Sequence, residues 1–206
     1  YTKLFDYVEH TDKTYKVKAI LGYSSPTLDV DSDLTFHESI DANNFSDDIK
    51  NFLTNLLGES IQTPPIYSAV KVKGKRLYKY ARKDEEVDIP TRKIKVDNTK
   101  LISLEENKVI FEITVSKGTY IRSIVEDLGK YLNTKAVVES LTRSAIGNLK
   151  INHKKLNKNI QNMDYKTNLY SLDWKEVINL PIVELDKDMF DVIKNGQLLT
   201  NDLFIN

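Results

Sequence analysis

The sequence predicts a mixed α/β fold of the α+β kind, in which a mostly antiparallel sheet carries flanking helices. Three observations lead there. Stretches with apolar residues at every second position come in hairpin-like pairs, as residues 92–103 and 108–116 do around Glu105-Glu106-Asn107. Segments with helical apolar spacing stand among them without the strict strand–helix–strand alternation of a doubly wound sheet. None of the seven glycines sits in a GxGxxG or Walker pattern, so the phosphate loops common in parallel α/β folds are missing.

Residues 13–22 read as the first strand, because Tyr15, Val17, Ala19 and Leu21 recur with period two. Residues 46–57 read as a helix, with Ile49, Phe52, Leu53, Leu56 and Leu57 on one face. Ser46 is the expected N-cap, Asp47 and Asp48 suit the positive end of the helix dipole, and Gly58 closes the helix. Thr63-Pro64-Pro65 then forces a loop. Residues 76–83 fit a short helix with Leu77, Tyr80 and Ala81 inward. After the strand pair, residues 119–132 fit a helix through Ile121, Ile124, Val125 and Leu128. A last strand is expected over residues 141–151. Something new starts at Pro181, with strand-like character at residues 182–185 and a turn at Asn195-Gly196. The domain division expected is therefore 1–178 and 179–206.

Composition narrows the function classes. Thirty basic and thirty acidic residues cancel, which argues against a protein that coats nucleic acid by net charge alone. No cysteine is present, so there is no disulfide, thiolate zinc site or thiol nucleophile. His10, His37 and His153 have no metal-ligand spacing. No apolar run approaches the roughly 20 residues of a membrane span. The expectation is a soluble, cytoplasmic, monomeric protein without membrane association or a histidine or cysteine metal site.

The charges are segregated along the chain. Between Lys18 and Lys50 there is no Lys or Arg, while residues 60–83 hold Lys71, Lys73, Lys75, Arg76, Lys79, Arg82 and Lys83 and no acid. Tyr67, Tyr78 and Tyr80 interleave with these cations. Cations neutralise backbone phosphates and tyrosine rings stack on splayed bases, so the segment suits RNA; a plain solvated basic surface is the alternative. Lys117-Gly118-Thr119-Tyr120-Ile121-Arg122 places a cation in the first turn of a helix, the end that is already partially positive. Either Glu126 at i+4 compensates Arg122, or an anion lies beyond the helix terminus in the fork of the guanidinium. Tyr120 offers a ring for stacking beside it. Tyr15 lies on the apolar side of its strand, where a tyrosine is ordinarily core and its hydroxyl needs a partner.

These segments resemble the TruB family of tRNA pseudouridine-55 synthases, and the resemblance covers about residues 12–146. Asp12-Lys13-Thr14-Tyr15-Lys16-Val17 is similar to the family's D-K-x-Y-x-V strand. Pro65-Ile66-Tyr67-Ser68-Ala69-Val70-Lys71, with Gly74 and Tyr78-Lys79-Tyr80-Ala81-Arg82, is similar to P-x-Y-S-A-x-K…G…Y-x-x-A-R. Residues 116–122 with Asp127-Leu128-Gly129 resemble S-K-G-T-Y-I-R…D-L-G, and Leu141-Thr142-Arg143 resembles L-x-R. The resemblance implies a pseudouridine synthase-like fold and a cofactor-free reaction on tRNA. A T-loop uridine is flipped out, an aspartate attacks, the glycosidic bond breaks, and the uracil rotates and rejoins through carbon. By matched position Tyr15 stacks on the flipped base and Arg122 pairs with the aspartate. Tyr120 and Leu141 line the pocket. Tyr67, Lys71, Lys73, Lys75, Arg76, Lys79 and Arg82 grip the RNA. Residues 180–197 resemble the entry to a small C-terminal RNA-binding domain, which the chain is too short to complete.

One motif departs from the family pattern. The nucleophile of the family lies in G-x-L-D-P, upstream of the D-K-x-Y strand, and no such motif occurs in these residues. Asp6 and Asp12 have other neighbours, and Thr27-Leu28-Asp29 fits instead a T-x-D-x-D loop that follows the strand. The expectation is an N-terminally incomplete catalytic domain, inactive alone, in which Asp29 has no chemical role. The alternative is a non-catalytic tRNA-binding or tRNA-folding module. The charge pattern yields a first test. Binding of a tRNA T-stem-loop should weaken steeply with salt, and replacing Lys71, Lys73, Lys75 and Arg76 together with Ala should flatten the log–log slope by up to about 3. An unchanged slope would show that this segment does not hold RNA.

Overall fold

A period-two strand buries one side chain in two, and Lys13–Leu21 (β1) does so with Val17, Ala19 and Leu21 wholly inside. In the computed structural model, which describes residues 12–147, 149–150 and 194, β1 lies near the middle of a six-stranded sheet. It pairs antiparallel with Lys108–Val115 (β8) on one side and Ala136–Ile146 (β9) on the other. Beyond β8 come Arg92–Glu105 (β7) and Gly58–Gln62 (β4), and beyond β9 comes Leu149–Lys150 (β10). Every pairing in this sheet is antiparallel, as the sequence predicts. Tyr23–Ser24 (β2) pairs with Thr35–Phe36 (β3), and Lys71–Val72 (β5) pairs with Lys75–Arg76 (β6), each as a separate two-stranded ribbon.

Two helices cover the apolar face of the sheet. Ser46–Asn55 (α1) packs on β7 through Ile49, Phe52 and Leu53. Ile121–Tyr131 (α3) packs on β9 and β1 through Ile121, Ile124, Val125 and Leu128. These side chains meet Val17, Ala19, Leu21, Val109, Phe111, Ile113 and Val115 in one core. The third helix, Leu77–Ala81 (α2), follows β6 and buries Leu77. Among the described residues no helix is long and apolar enough to cross a membrane.

The boundaries correct the sequence reading in three places. Ser46 is not an N-cap, because its φ of −52° and ψ of −44° are already helical. A 3-10 turn, Ala42–Phe45, runs directly into α1, and Asp41 caps that turn by accepting from Asn43 N at 2.9 Å. The Asn43 backbone bond also holds the exposed Asp41 carboxyl below its usual range. The last long strand starts at Ala136, not Leu141, and turns back at Gly147. Ala136, Val137 and Val138 are all buried, so the first part of β9 lacks the alternation by which a strand is recognised. Finally, β4 is a sheet edge with no apolar pattern. Its Ile61 is exposed and its Gln62 buried, so backbone pairing with β7 defines it. The segments expected around residues 182–185 and 195–196, and the division at residue 179, lie outside the described residues.

On the opposite sheet face, Glu139 of β9 bridges Lys18 of β1 and Lys108 of β8 at 2.9 Å each. Burial pushes the Glu139 carboxyl up, but bonds to the two lysines outweigh it and hold it below the usual value. Gly129 marks the closest approach of α3 to the sheet. A Cβ there would stand 2.6 Å from Ala136 N and 2.9 Å from Lys135 C, both backbone atoms. Helix propensity alone makes Gly→Ala favourable by about 1 kcal/mol. The clash should reverse that sign, so Gly129→Ala should lower the thermal midpoint; a raised midpoint would contradict this packing.

Candidate active site

The helix-dipole argument leaves two partners open for Arg122, and the structure decides between them. Glu126 at i+4 turns to Lys130, 3.0 Å away. Arg122 points beyond the helix terminus instead. Its Nη1 donates to Asp29 Oδ2 at 3.1 Å and to the Thr27 carbonyl at 2.6 Å, and its Nη2 donates to the Tyr67 carbonyl at 2.9 Å. A guanidinium at a positive helix end is thus met by one carboxylate and two carbonyl dipoles.

Each partner is itself fixed. Thr27 Oγ1 donates to Asp29 Oδ1 at 2.5 Å, Asp31 N approaches the same oxygen at 3.3 Å, and Ser25 Oγ donates to the Asp29 carbonyl at 2.6 Å. Leu28 takes φ 63°, rare for leucine, and its carbonyl accepts from Val138 N at 3.0 Å. Val30 N donates back to the Val138 carbonyl at 3.1 Å. The loop carrying Asp29 is therefore stitched to β9, three residues before Leu141. On the other side Ser123 Oγ donates to the Thr63 carbonyl at 3.0 Å, so the first turn of α3 grips both ends of the proline loop. Asp29 thus has a structural role as the carboxylate that meets Arg122, which the sequence did not show because the two residues are 93 apart.

The other expected site residues fall on this side of the sheet or on a projecting arm. Tyr15 is the third residue of β1, opposite Ile113 on β8 and Arg143 on β9. It is half-buried and packs against the core. Leu141 lies opposite Val17, one row along on the same face, and is 42% exposed. Tyr120 is the N-cap residue of α3, two positions before Arg122. Tyr67 contributes its backbone carbonyl to Arg122.

The basic segment forms the arm. β5 and β6 make a hairpin whose turn, Lys73-Gly74, has φ of 49° and 78°, the double positive φ of a tight hairpin turn. Lys71, Lys73, Arg76, Lys79 and Arg82 are exposed along the hairpin and α2. Lys75 is engaged within the arm: it pairs with Glu85 and lies 4.2 Å from the centre of the Tyr80 ring. Tyr80 Oη donates to the Val72 carbonyl at 3.0 Å, and Arg82 lies 5.4 Å from the Tyr78 ring centre. Two tyrosines expected to stack on bases thus already carry cations of the same arm. Among the described residues no group of three or more His, Asp or Glu side chains is placed to hold a metal ion.

Comparison with known proteins connects this geometry to a family. The family model described as TruB family pseudouridylate synthase (N terminal domain) matches residues 1–121. The chain belongs to the TruB family. A tRNA pseudouridine synthase B from Ligilactobacillus salivarius is 34% identical across 98% of this chain and 70% of its own length. One from Mycoplasma mobile is 36% identical across 96% of this chain and 65% of its own. One from Colwellia psychrerythraea is 43% identical across 71% of this chain and 46% of its own. The chain thus spans between about half and 70% of these relatives. Among solved structures, a chain of a Cbf5-Nop10-Gar1 complex superposes with a TM-score of 0.51 at 25% identity, over 74% of this chain and 35% of that one. The six-stranded antiparallel sheet with its two covering helices is the pseudouridine synthase-like fold of this TruB-family chain.

The contacts of three further residues at this candidate site went unread in the sequence: Thr27, which bonds Asp29, and Gln62 and Arg92, which contact the turn before α3. Thr27 lay in a recognised motif, but its bond to Asp29 gave no linear signal. The Asp29–Arg122 pair generates a test. With both side chains little more than a fifth exposed, Asp29→Ala leaves a half-buried guanidinium facing only carbonyls, at a cost of about 1–3 kcal/mol. Urea unfolding should show that loss, and a variant as stable as the wild type would show that the pair does not organise the loop.

Proposed function

We propose that this chain carries the substrate-binding and arginine-bearing part of a tRNA pseudouridine synthase that isomerises the T-loop uridine at position 55. The observation that carries the proposal is the Arg122 guanidinium, held at a helix terminus on one face of a sheet that also presents Tyr15 and Leu141. Among the described residues, its bonds to Thr27, Asp29 and Tyr67 use three of its five N–H donors. None of the aspartates at residues 12–150 stands in the G-x-L-D-P context of the family's nucleophile. On this reading the other two donors hold such a carboxylate ionised and aimed.

On this reading the flipped uracil stacks on the Tyr15 ring, with Tyr120 and Leu141 at its border. The exposed cations of the arm, Lys71, Lys73, Arg76, Lys79 and Arg82, neutralise phosphates of the T-stem-loop. Flipping costs a few kcal/mol, which these backbone contacts offset. The reaction needs no redox partner: the C1′–N1 bond breaks, a C1′–C5 bond forms, and the proton lost from C5 is balanced by one gained at N1. The shared fold and the relatives' names support this reading, and the arm's chemistry supports an RNA partner.

The test is pseudouridine formation in a tRNA T-stem-loop by the complete gene product. Arg122→Lys should keep the fold and RNA affinity but lose most turnover, on the order of 100-fold or more, because an ammonium has no fixed plane with which to orient a carboxylate. Near-normal turnover would place the chemistry away from this helix end. Tight RNA binding with no pseudouridine formed by the wild type would favour a tRNA-binding module.

A further inference from the structure

Gln62 is buried at the end of β4, 5% exposed, and an amide in such a place is costly unless both its ends are bonded. Both ends go to one residue far along the chain. Gln62 Nε2 donates to the Tyr120 carbonyl at 3.0 Å, and Tyr120 N donates to Gln62 Oε1 at 2.8 Å. A backbone N–H only donates and a carbonyl only accepts, so the amide orientation is determined. Tyr120 is the N-cap of α3, in an extended conformation with φ −97° and ψ 108°, and no side-chain cap of its own. A side-chain amide from the sheet edge therefore holds this peptide as a strand neighbour would.

The cross-strand partner of Gln62 acts on the same residue. Arg92 pairs with Gln62 in the β4–β7 register. Its guanidinium lies 5.5 Å from the Tyr120 ring centre, and its Nη1 is 3.4 Å from the Gly118 carbonyl. Gly118 has φ +86°, and a Cβ there would stand 3.3 Å from Arg92 Nη1. One rung of the sheet edge thus grips the turn before α3 at its glycine, at the Tyr120 peptide and at the Tyr120 ring. Arg122 follows two residues later on the same rigid turn.

We propose that Gln62 is a positioning residue for the isomerisation: its amide clamps the Tyr120 peptide, and so sets the direction of the Tyr120 ring and of Arg122. This rests on the pseudouridine synthase reading. A residue serving only to fill the sheet edge would be replaceable by an apolar side chain of equal length. The clamp requires a neutral group that donates and accepts at once. A protonated carboxylic acid has that pattern, and a carboxylate does not, because it would face the Tyr120 carbonyl with like partial charge.

The experiment uses Gln62→Met and Gln62→Glu in the complete gene product, with two readouts: amide hydrogen exchange at Tyr120 and pseudouridine formation in a T-stem-loop RNA. Loss of a buried bond of this kind predicts that Gln62→Met exchanges the Tyr120 amide about tenfold faster, with core amides of β1 and β8 unchanged. The same variant should lose about tenfold in kcat, while KM for the RNA stays within about threefold. Gln62→Glu should match that loss at pH 8.5 and recover towards wild type as pH falls to about 6, since burial raises the carboxyl and protonation restores the clamp. The recovery also serves if Gln62→Met fails to fold. Unchanged Tyr120 exchange, wild-type kcat in Gln62→Met, or no recovery of Gln62→Glu at low pH overturns the inference. A wild type that forms no pseudouridine refutes the reaction, while Tyr120 exchange in the two variants still decides the clamp.

Discussion

A positive guanidinium stands at a positive helix end, and much of the site follows from that conflict. Arg122 cannot remain half-buried there without negative partners. The fold brings them from two loops that are far apart in sequence, one ending at Asp29 and one passing through Tyr67. Each loop is anchored to a sheet element or to the same helix: the first to Val138 of β9, the second through Thr63 to Ser123 of α3. Electrostatic need at one side chain thereby ties together three segments that hydrophobic packing alone would leave independent.

The sheet supplies the rigidity that this arrangement needs. β1 is bounded on both sides by long antiparallel partners, so Tyr15 is held from two directions on a face packed under α3. Close packing at Gly129 brings α3 onto the start of β9, where the Asp29 loop is also fastened. A site built on strands and a helix is located more narrowly than one on loops alone. The loops that do contribute are short, and their backbones are bonded to the scaffold.

The arm obeys different physics. It projects as a two-stranded ribbon and one short helix, and Leu77 is its buried anchor. Part of its basic charge is engaged internally, since Lys75 meets Glu85 and Tyr80. Lys71, Lys73, Arg76 and Lys79 keep their charge towards solvent. An arm that holds its own shape through some cations while presenting others loses less conformational entropy when a polyanion docks.

The fold class was legible in the amino-acid order because period-two and helical spacing are local properties. The alternation through Val109, Phe111, Ile113 and Val115, and the stripe from Ile121 to Leu128, need no distant partner to be read. The need for an anion at Arg122 was legible for the same reason, since a helix start is a local feature. Four things were not: the edge strand β4, the early start of β9, the identity of the anion, and the Gln62 clamp. Each depends on a partner tens of residues away. β4 exists because β7 offers backbone groups to pair with, and Ala136, Val137 and Val138 form a strand under cover that only folding supplies. Asp29 rather than Glu126 meets Arg122 because the loop at Leu28 is stitched to β9, which fixes where its carboxylate lies. Local periodicity determined the elements; the long-range bonds that satisfy buried polar groups decided which of their side chains form a site.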